Sequence, residues 1–269
     1  MLDVNRLGYG AMRLCGTGVW GWPADSDNAL RVLRRAVELG VNFIDTADAY
    51  GPYVNEEQIA QALFPYPDGL TIATKGGSTR SGPHQWGRDG RPEHLREACE
   101  GSLQRLRVEC IDLYQLHTVD PSVPFDEQIG ALRELRDAGK IKRVGLSNVD
   151  RDQVERASKI IEIASVQNSY NVSDRESEPV LRYCEAHDMA FIPYFPLDAG
   201  DIAGHTLTQV AHAHGATPFQ IALAWLLRHS PAMLPIPGTS SVAHLEENVA
   251  GAKIALSDEE YDQLSALTA

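Results

Sequence analysis

Short apolar runs alternate with amphipathic stretches along the whole chain. Apolar residues spaced three and four apart, such as Leu30, Leu33 and Val37, predict helices, and shorter apolar runs between turn residues predict buried strands. Ser257 with Glu260 forms a capping-box pattern that predicts the start of a last helix. Strands are predicted at residues 7–10, 43–45, 70–74, 111–116, 140–146, 163–166, 190–194 and 233–236.

Helical patterns fill most of the gaps between these strands. The predicted helices cover residues 55–63, 92–106, 179–187, 206–214, 218–228 and 244–250, with others ending at Gly40 and Gly139. Eight strand–helix units in a chain of 269 residues are typical of a (β/α)8 TIM barrel, an α/β fold. We therefore predict one barrel domain over residues 1–269. A doubly wound open sheet is the competing architecture, but no G-x-G-x-x-G motif follows the first strand.

Polar side chains stand at the ends of several predicted strands. Asp45, Lys75, His117 and Ser147 each follow an apolar run, and Tyr50 comes shortly after Asp45. Active sites of such barrels lie where the carboxyl ends of the strands meet the following loops. Taken singly, each residue has a commoner role in a turn, in the core or in solvent. Their joint placement at one end of the barrel predicts an acid–base centre.

The composition and net charge of the chain indicate which kinds of binding partner to expect. Hydrophobic residues make up 43% of the chain, enough for a barrel-sized core, and the formal net charge is -13. That charge disfavours long-range attraction to nucleic acid or to an anionic membrane. No apolar run reaches the ~18 residues of a membrane-spanning helix, and the start of the chain has no signal-peptide pattern. We expect a cytoplasmic protein with a small-molecule partner; the pattern predicts no particular oligomeric state.

Neither a disulfide framework nor a metal site is expected. The cysteines are widely spaced without a C-x-x-C motif, which indicates reduced thiols: Cys15, Cys99, Cys110 and Cys184. Cys15 lies in a Gly-rich loop and is a candidate reactive thiol, although packing is the commoner role. His212 and His214 lie two apart on a predicted helix, so their rings would point to different faces.

Tyrosine, lysine, aspartate and histidine together suit proton transfer to a carbonyl oxygen. The ordinary pKa of tyrosine is ~10, and we expect the ammonium of Lys75 to lower the pKa of Tyr50. Asp45 would keep Lys75 charged and oriented, and His117 would either hydrogen-bond the substrate carbonyl or share the proton transfer. No side chain donates a hydride, so a cofactor must supply it.

Several motifs, in order along nearly the full length of the chain, resemble those of the aldo-keto reductase superfamily. They are NFIDTA at 42–47, YG at 50–51, ATKG at 73–76, DLYQLH at 112–117, GLSN at 145–148, VQNSYN at 166–171 and IPGTS at 236–240. The resemblance implies a (β/α)8 barrel and NAD(P)H-dependent reduction of an aldehyde or ketone. It implies Tyr50 as the general acid, with Asp45, Lys75 and His117 completing a tetrad.

The same resemblance implies a site for the nicotinamide cofactor. Ser147, Asn148 and Gln167 should hydrogen-bond the nicotinamide carboxamide, and Tyr194 should stack on the ring. The residues implied at the pyrophosphate crossing and the adenosine end are Pro196, Leu197, Gly238, Thr239, Ser240, His244, Glu247 and Asn248. Independently, the turn at 238–240 precedes a predicted helix, whose N-terminus can bind phosphate.

Two departures from the family pattern concern the cofactor and the pocket. Many members carry lysine and arginine where this chain has Gly238 and His244, and those cations hold the 2′-phosphate of NADPH. Only Thr239, Ser240 and His244 are obvious candidates for that role here. NADPH is the expected cofactor, with NADH as an open alternative. The N-terminus is short, so the hairpin that often plugs the barrel bottom in other members is expected to be truncated. The long C-terminal tail that walls the pocket in some members is absent, so the expected substrate pocket is open.

Substrate contacts are expected on the rim loops, which include a long polar loop over residues 76–90. The candidates are Trp20, Trp22, Tyr53, Trp86 and Thr118, although loop packing explains each of them equally well. The loop 18–23 and the segment 236–248 resemble a bacterial branch related to pyridoxal reductases. Pyridoxal or another aromatic aldehyde is therefore one candidate substrate, beside sugars and ketones.

Two other functions are kept as alternatives to a reductase. A Schiff-base aldolase or lyase would use Lys75 as the imine-forming residue, because barrel lysines can serve in that role. A charged Lys75 buried beside Asp45 would argue against it. A sensor subunit that binds NADPH without catalysis is the second alternative, and an intact tetrad argues against it.

Overall fold

Nine strands occur in the computed structural model, which describes residues 2–197 and 205–267. They are β1 (Tyr9–Gly10), β2 (Phe43–Asp45), β3 (Thr71–Gly76), β4 (Ser78–Gly82), β5 (Gln85–Arg88), β6 (Ile111–Leu116), β7 (Ile141–Ser147), β8 (Ile163–Ser169) and β9 (Ala190–Tyr194). Seven of them form one curled parallel sheet in the order β1-β2-β3-β6-β7-β8-β9, and β4 pairs with β5 in a separate antiparallel hairpin. All carboxyl ends of the parallel strands therefore lie at the same rim.

Helices cover the outer face of this sheet. Within the described ranges they are α1 (Ser26–Glu38), α2 (Val54–Leu63), α3 (Pro92–Leu106), α4 (Phe125–Asp137), α5 (Arg151–Ser158), α6 (Glu178–Ala186), α7 (His205–His214), α8 (Pro218–His229), α9 (Val242–Gly251) and α10 (Asp258–Ser265). No helix among the described residues is long and apolar enough to cross a membrane. The capping box predicted at Ser257 and Glu260 is confirmed, with both reciprocal hydrogen bonds present.

Alternation along β6 separates an inner face of the sheet from an outer one. Tyr114 and Leu116 belong to the apolar cluster between sheet and helices, whereas Leu113 packs with Phe43 in a second cluster inside the curl. Gln115 shares the face of Leu113, because side chains two apart on a strand point the same way. The inner face is thus apolar low in the sheet and polar toward the carboxyl ends.

The predicted eighth strand, residues 233–236, does not form a regular strand. An isolated bridge joins it to β9, where the N–H of Leu234 donates to the oxygen of Phe191 at 2.8 Å. On its other side the N–H of Gly8 donates to the oxygen of Pro235 at 2.9 Å. Pro235 and the proline two residues later have no N–H to donate, so a continuous ladder cannot run through the segment.

One hairpin, formed by β4 and β5, and one helix, α5, were absent from the sequence prediction. The polar loop expected over residues 76–90 contains the hairpin β4–β5, whose second strand is exposed throughout and so carries no buried alternation. Helix α5 was not predicted because only Val154 and Ala157 are buried along it, too few for a periodic pattern. Its capping box, Asp150 with Gln153, was the available signal.

Gly10, at the end of β1, provides a test of how closely the backbone packs at the rim. A Cβ at this position would lie 2.6 Å from the carbonyl oxygen of Ile236. The φ of Gly10 is -88°, so the obstacle to a larger residue is steric rather than conformational. We expect Gly10→Ala to lower the free energy of unfolding by about 1–3 kcal/mol, as overpacking usually does, when measured by urea denaturation.

The matched control is Gly130→Ala in α4, where nothing lies within 4 Å of the added methyl group. Alanine is the better helix former, so this variant should be neutral or up to about 1 kcal/mol more stable. Equal effects of the two substitutions would contradict the close approach at Gly10.

Candidate active site

The register of the parallel strands brings the predicted polar residues to one rim. Asp45 ends β2, Lys75 lies near the end of β3, and His117 follows β6 directly. Lys75 is opposite Gln115 on β6, and Ser147 on β7 is opposite Gln167 on β8. The acid–base candidates and the predicted amide-binding residues therefore occupy one end of the sheet.

A buried ion pair between Lys75 and Asp45 forms the base of the site. Both side chains are buried, and Lys75 Nζ donates to Asp45 Oδ1 at 2.6 Å. The same nitrogen donates to the backbone oxygen of Thr46 at 2.8 Å and to the hydroxyl of Tyr50 at 3.3 Å. An ammonium has three N–H donors, so every one of them has an acceptor here.

The second oxygen of Asp45 accepts two further hydrogen bonds. Gln167 Nε2 donates at 2.8 Å and Gln115 Nε2 donates at 3.2 Å. These amides hold the carboxylate from the side opposite to Lys75. Gln115 was not predicted as a site residue; its position as the last inward-facing residue of β6 was the available signal.

Burial decides the acidity of Tyr50. It raises the pKa of the Tyr50 hydroxyl above its ordinary value of 10.0, and the nearby Lys75 ammonium only partly offsets this. The expectation that Lys75 would give a net lowering is therefore wrong, because that argument omitted desolvation. For Lys75 itself burial lowers the pKa, but the charges of Asp45 and Tyr50 outweigh burial, so the net pKa is raised.

His117 lies beside Tyr50 as a neutral imidazole. The two ring centroids are 5.7 Å apart with the planes at 84°. Burial, followed by the charges of Lys75 and Arg80, lowers the pKa of His117 well below 6.5. Its Nδ1 is buried without a hydrogen-bond partner among the described residues. A neutral ring at this place can donate one hydrogen bond without adding charge.

A cavity of about 970 Å³ opens above this base. Asp45, Tyr50 and His117 line it, and Lys75 lies beneath them. All residues that the family resemblance implied for the cofactor also line it: Ser147, Asn148, Gln167, Tyr194, Pro196, Leu197, Gly238, Thr239, Ser240, His244, Glu247 and Asn248.

Hydrogen bonds along the polar side of the cavity link the carboxyl ends of β9, β7 and β6. Tyr194 donates its hydroxyl to Asn148 Oδ1 at 2.8 Å, and Asn148 Nδ2 donates to the backbone oxygen of His117 at 2.9 Å. Asn148 has a positive φ of 58°, which asparagine tolerates better than most residues. This geometry fixes an amide and a phenol ring at the rim beside the tetrad.

At the other end of the cavity, two glycines bring the backbone close together. A Cβ on Gly238 would lie 2.7 Å from the oxygen of Gly10 and 3.4 Å from Cγ of Arg13. The next residue, Thr239, accepts a hydrogen bond from the Tyr9 hydroxyl at 2.5 Å. Arg13 lines the cavity and has no hydrogen bond or ion pair among the described residues. This corner therefore has the Arg13 guanidinium, without a partner among the described residues, in place of a side chain at position 238.

The predicted rim residues separate into two groups. Trp86 and Thr118 line the cavity, and the Trp86 ring meets Tyr50 edge to face at 6.3 Å. The other three lie elsewhere. Trp20 bridges Gly51 through the backbone, Trp22 lines a separate, smaller cavity, and Tyr53 packs under the guanidinium of Arg105.

Several cavity residues were not anticipated from the sequence. Apart from Arg13, they are Gly10, Met12, Ser78, Gly87, Arg88, Phe195, Thr217, Pro218, Phe219, Ile236 and Pro237. Most lie in loops or at element ends, where no periodic signal exists.

Thiol and metal chemistry find little support in the part of the chain that is described. Burial raises the pKa of Cys15 to about 12, so this thiol is not activated. No group of three or more His, Cys, Asp or Glu side chains in residues 2–197 and 205–267 is placed to hold a metal ion.

Comparisons with known proteins show which family the chain resembles. The model of the aldo/keto reductase family matches residues 6–269. The chain is 48% identical to an uncharacterized oxidoreductase of Schizosaccharomyces pombe, over 97% of this chain and 86% of that protein. It is 44% identical to pyridoxine 4-dehydrogenase of Escherichia coli K12, over 99% of this chain and 96% of the relative. An aldo/keto reductase of Klebsiella pneumoniae, solved in complex with NADP and acetate, is 30% identical with a TM-score of 0.83, covering 98% and 91% of the two chains.

The ion pair at the base of the cavity predicts a strong dependence of stability on both partners. Lys75→Met leaves the Asp45 carboxylate buried without its counter-charge, and we expect a loss of about 3–5 kcal/mol in the free energy of unfolding. The double variant Asp45→Asn/Lys75→Met removes both charges and should lose less than Lys75→Met alone. Urea denaturation of the single and double variants measures the difference. A double variant less stable than Lys75→Met would exclude an unpaired buried charge as the cause.

Proposed function

The chain belongs to the aldo/keto reductase family, and we propose that it reduces an aldehyde or ketone to an alcohol by hydride transfer from NADPH, with Tyr50 as the general acid. In this proposal the seven-stranded sheet and the segment 232–236 together form a (β/α)8 barrel, with residues 1–269 as one domain. The hydrogen bonds from this segment to β9 and to Gly8 support that closure.

The observation that carries the proposal is the contact of a fully buried ammonium with a rim hydroxyl. Lys75 Nζ lies 3.3 Å from the Tyr50 oxygen and is itself fixed by Asp45 at 2.6 Å. A phenol placed beside such a cation loses its proton more readily when a negative oxygen accepts that proton. This arrangement suits an acid that works at the edge of a water-excluding cavity.

Proton transfer in this site follows from the state of each group. Reduction places negative charge on the carbonyl oxygen, and the protonated hydroxyl of Tyr50 donates its proton there. The Lys75 ammonium stabilises the phenolate that remains, and Asp45 keeps Lys75 in position. His117 donates a hydrogen bond to the same oxygen and so orients the carbonyl. Tyr50 then recovers a proton from solvent.

The cavity has the groups needed to hold the cofactor, whose nicotinamide ring supplies the hydride when bound. Gln167 donates to Asp45 through Nε2, which leaves its Oε1 to accept from an amide N–H. Ser147 and Asn148 flank it, and Tyr194 presents a half-buried ring that can pack on a flat heterocycle. At the far corner Arg13 adds the positive charge that position 238 lacks.

Names of relatives suggest where to look for the substrate. The Escherichia coli relative is named for pyridoxine, and the Klebsiella pneumoniae structure holds NADP. We propose an aromatic aldehyde of the pyridoxal type as the first substrate class to assay, with NADPH as the first cofactor.

The imine-forming alternative requires a neutral amine at Lys75. Three acceptors occupy its N–H groups, and its net pKa is raised, so the amine stays protonated. A sensor without catalysis would not need the ordered tetrad. Both observations favour the reductase.

Tyr50→Phe tests the acid assignment. This variant lacks only the hydroxyl, so kcat for aldehyde reduction should fall by about 10²–10⁴-fold, the usual contribution of a general acid, while NADPH affinity stays close to that of the wild type. The rate is followed by cofactor absorbance and the affinity by fluorescence titration with NADPH and NADH. Tyr183→Phe, on the outer helix α6, is the matched control and should change neither quantity. Retention of most activity in Tyr50→Phe would overturn the assignment.

The pH profile of reduction tests the charge states. The pKa of Tyr50 lies above its ordinary value of 10.0 because the hydroxyl is buried, and burial also places the pKa of His117 well below its ordinary value of 6.5. We expect kcat/KM to stay level between these limits and to fall only outside them, on the alkaline side as Tyr50 loses its proton. An inflection near pH 6.5 that His117→Asn abolishes would mean that His117 titrates in the free enzyme.

A further inference from the structure

Building on the reductase function proposed above, we infer that the hairpin β4–β5 recognises an anionic group of the substrate. The carbonyl compound carries a carboxylate or a phosphate, and Arg88 binds that group while Tyr50 and His117 act on the carbonyl. The class of substrate is therefore an anionic aldehyde or ketone.

One face of the hairpin supplies the residues for this role. Ser78 pairs with Arg88 and Arg80 pairs with Trp86 across the antiparallel ladder. Paired residues point to the same face, as do residues two apart on one strand, so these four side chains share a face. Ser78, Trp86 and Arg88 line the cavity. The hairpin thus forms one wall of the substrate end.

Trp86 on β5 lies beside the two residues that act on the carbonyl, and Arg88 lies farther along the same strand. The Trp86 ring lies 6.3 Å from the Tyr50 ring and 6.2 Å from the His117 ring, so a carbonyl between those two residues has its organic body against Trp86. Arg88 comes two residues later, ~7 Å farther along the strand. That step is close to the length of a benzene ring with an aldehyde and an acidic group at opposite ends.

The guanidinium of Arg88 is available for such a group. It has no hydrogen bond or ion pair among the described residues. Its neighbour Asp89 is engaged with Arg91 at 2.6 Å, and Asp45 is engaged with Lys75. A guanidinium without an internal partner can take a carboxylate or phosphate through two parallel hydrogen bonds.

A second arginine adds positive charge to the same wall. Arg80 lies 3.8 Å over the Trp86 ring and donates to backbone oxygens, among them that of Gly18 at 2.7 Å and that of Val19 at 2.9 Å. It has no carboxylate partner among the described residues. Two guanidinium groups therefore lie along this wall, and a local cluster of positive charge can attract anions even in a chain of net charge -13.

The remaining arginine of the cavity belongs to its other end. Among the described residues Arg13 and Arg88 are the arginines that line the cavity, and Arg13 lies beside Gly238 in the corner assigned above to the cofactor. Arg88 is therefore the cavity arginine that can bind the substrate.

Matched pairs of aldehydes test the inference. We would measure kcat/KM with NADPH for 4-carboxybenzaldehyde against its neutral methyl ester, and for pyridoxal 5′-phosphate against pyridoxal. The wild type should prefer the anionic member of at least one pair by about 10-fold or more, as a charge-assisted hydrogen bond allows, and added NaCl should reduce the preference. The pair with the larger preference tells carboxylate from phosphate.

Arg88→Gln should remove this preference through KM, so that the anionic and the neutral member of a pair give similar kcat/KM. Arg133→Gln, on the outer face of α4, changes the net charge equally and should keep the wild-type preference. A wild type without preference in either pair, or an Arg88→Gln variant that keeps it, would overturn the inference while neutral aldehydes still turn over.

Absence of turnover with every aldehyde would instead count against the reductase function. Calorimetric titration with 4-(hydroxymethyl)benzoate, the alcohol product, then decides the inference separately. Binding to the wild type that Arg88→Gln weakens about 10-fold or more supports the anion site, and equal binding to the two proteins refutes it.

Discussion

Lys75 carries its charge in the fully buried interior of the sheet, where an ammonium without partners would be strongly destabilised. Its three acceptors come from the end of β2, from the turn after it and from Tyr50. Asp45 in turn needs the amides of Gln115 and Gln167 on its second oxygen. A slip of one residue in any of these strands would turn a partner to the helical face, so the strand register and the site depend on one another.

Arginine side chains line the cavity, although the whole chain has a negative net charge. The net charge is -13, although several surface carboxylates have arginine partners, such as Glu246 with Arg35, Glu134 with Arg96 and Asp126 with Arg156. Arg13 and Arg88 line the cavity at opposite ends, and neither has a hydrogen bond or ion pair among the described residues. Such a pocket can hold a phosphate-bearing cofactor at one end and an anion at the other.

Most elements of the fold could be read from periodicity and capping, since helices such as α3 and strands such as β9 were predicted with the observed bounds. What could not be read has a physical cause in each case. The hairpin has little buried alternation, α5 buries only two side chains, and Pro235 interrupts the hydrogen bonding of a segment whose apolar pattern is that of a strand. In these three places the hydrophobic pattern of the sequence does not predict the backbone hydrogen bonds that form.

By itself the sequence determined which polar residue types follow the strands, because parallel strands must end at one rim and only those positions face the loops. It therefore predicted that Asp45, Lys75, His117 and Ser147 lie at one rim, whereas the cofactor residues were implied by the family resemblance. Only the tertiary structure decided that Trp22 and Tyr53 lie away from the cavity and that Arg88 lines it, since loop positions have no period. The direction of the Tyr50 pKa shift was also decided there: the sequence supplies the neighbouring charge of Lys75, but desolvation depends on how the rest of the chain packs around the hydroxyl.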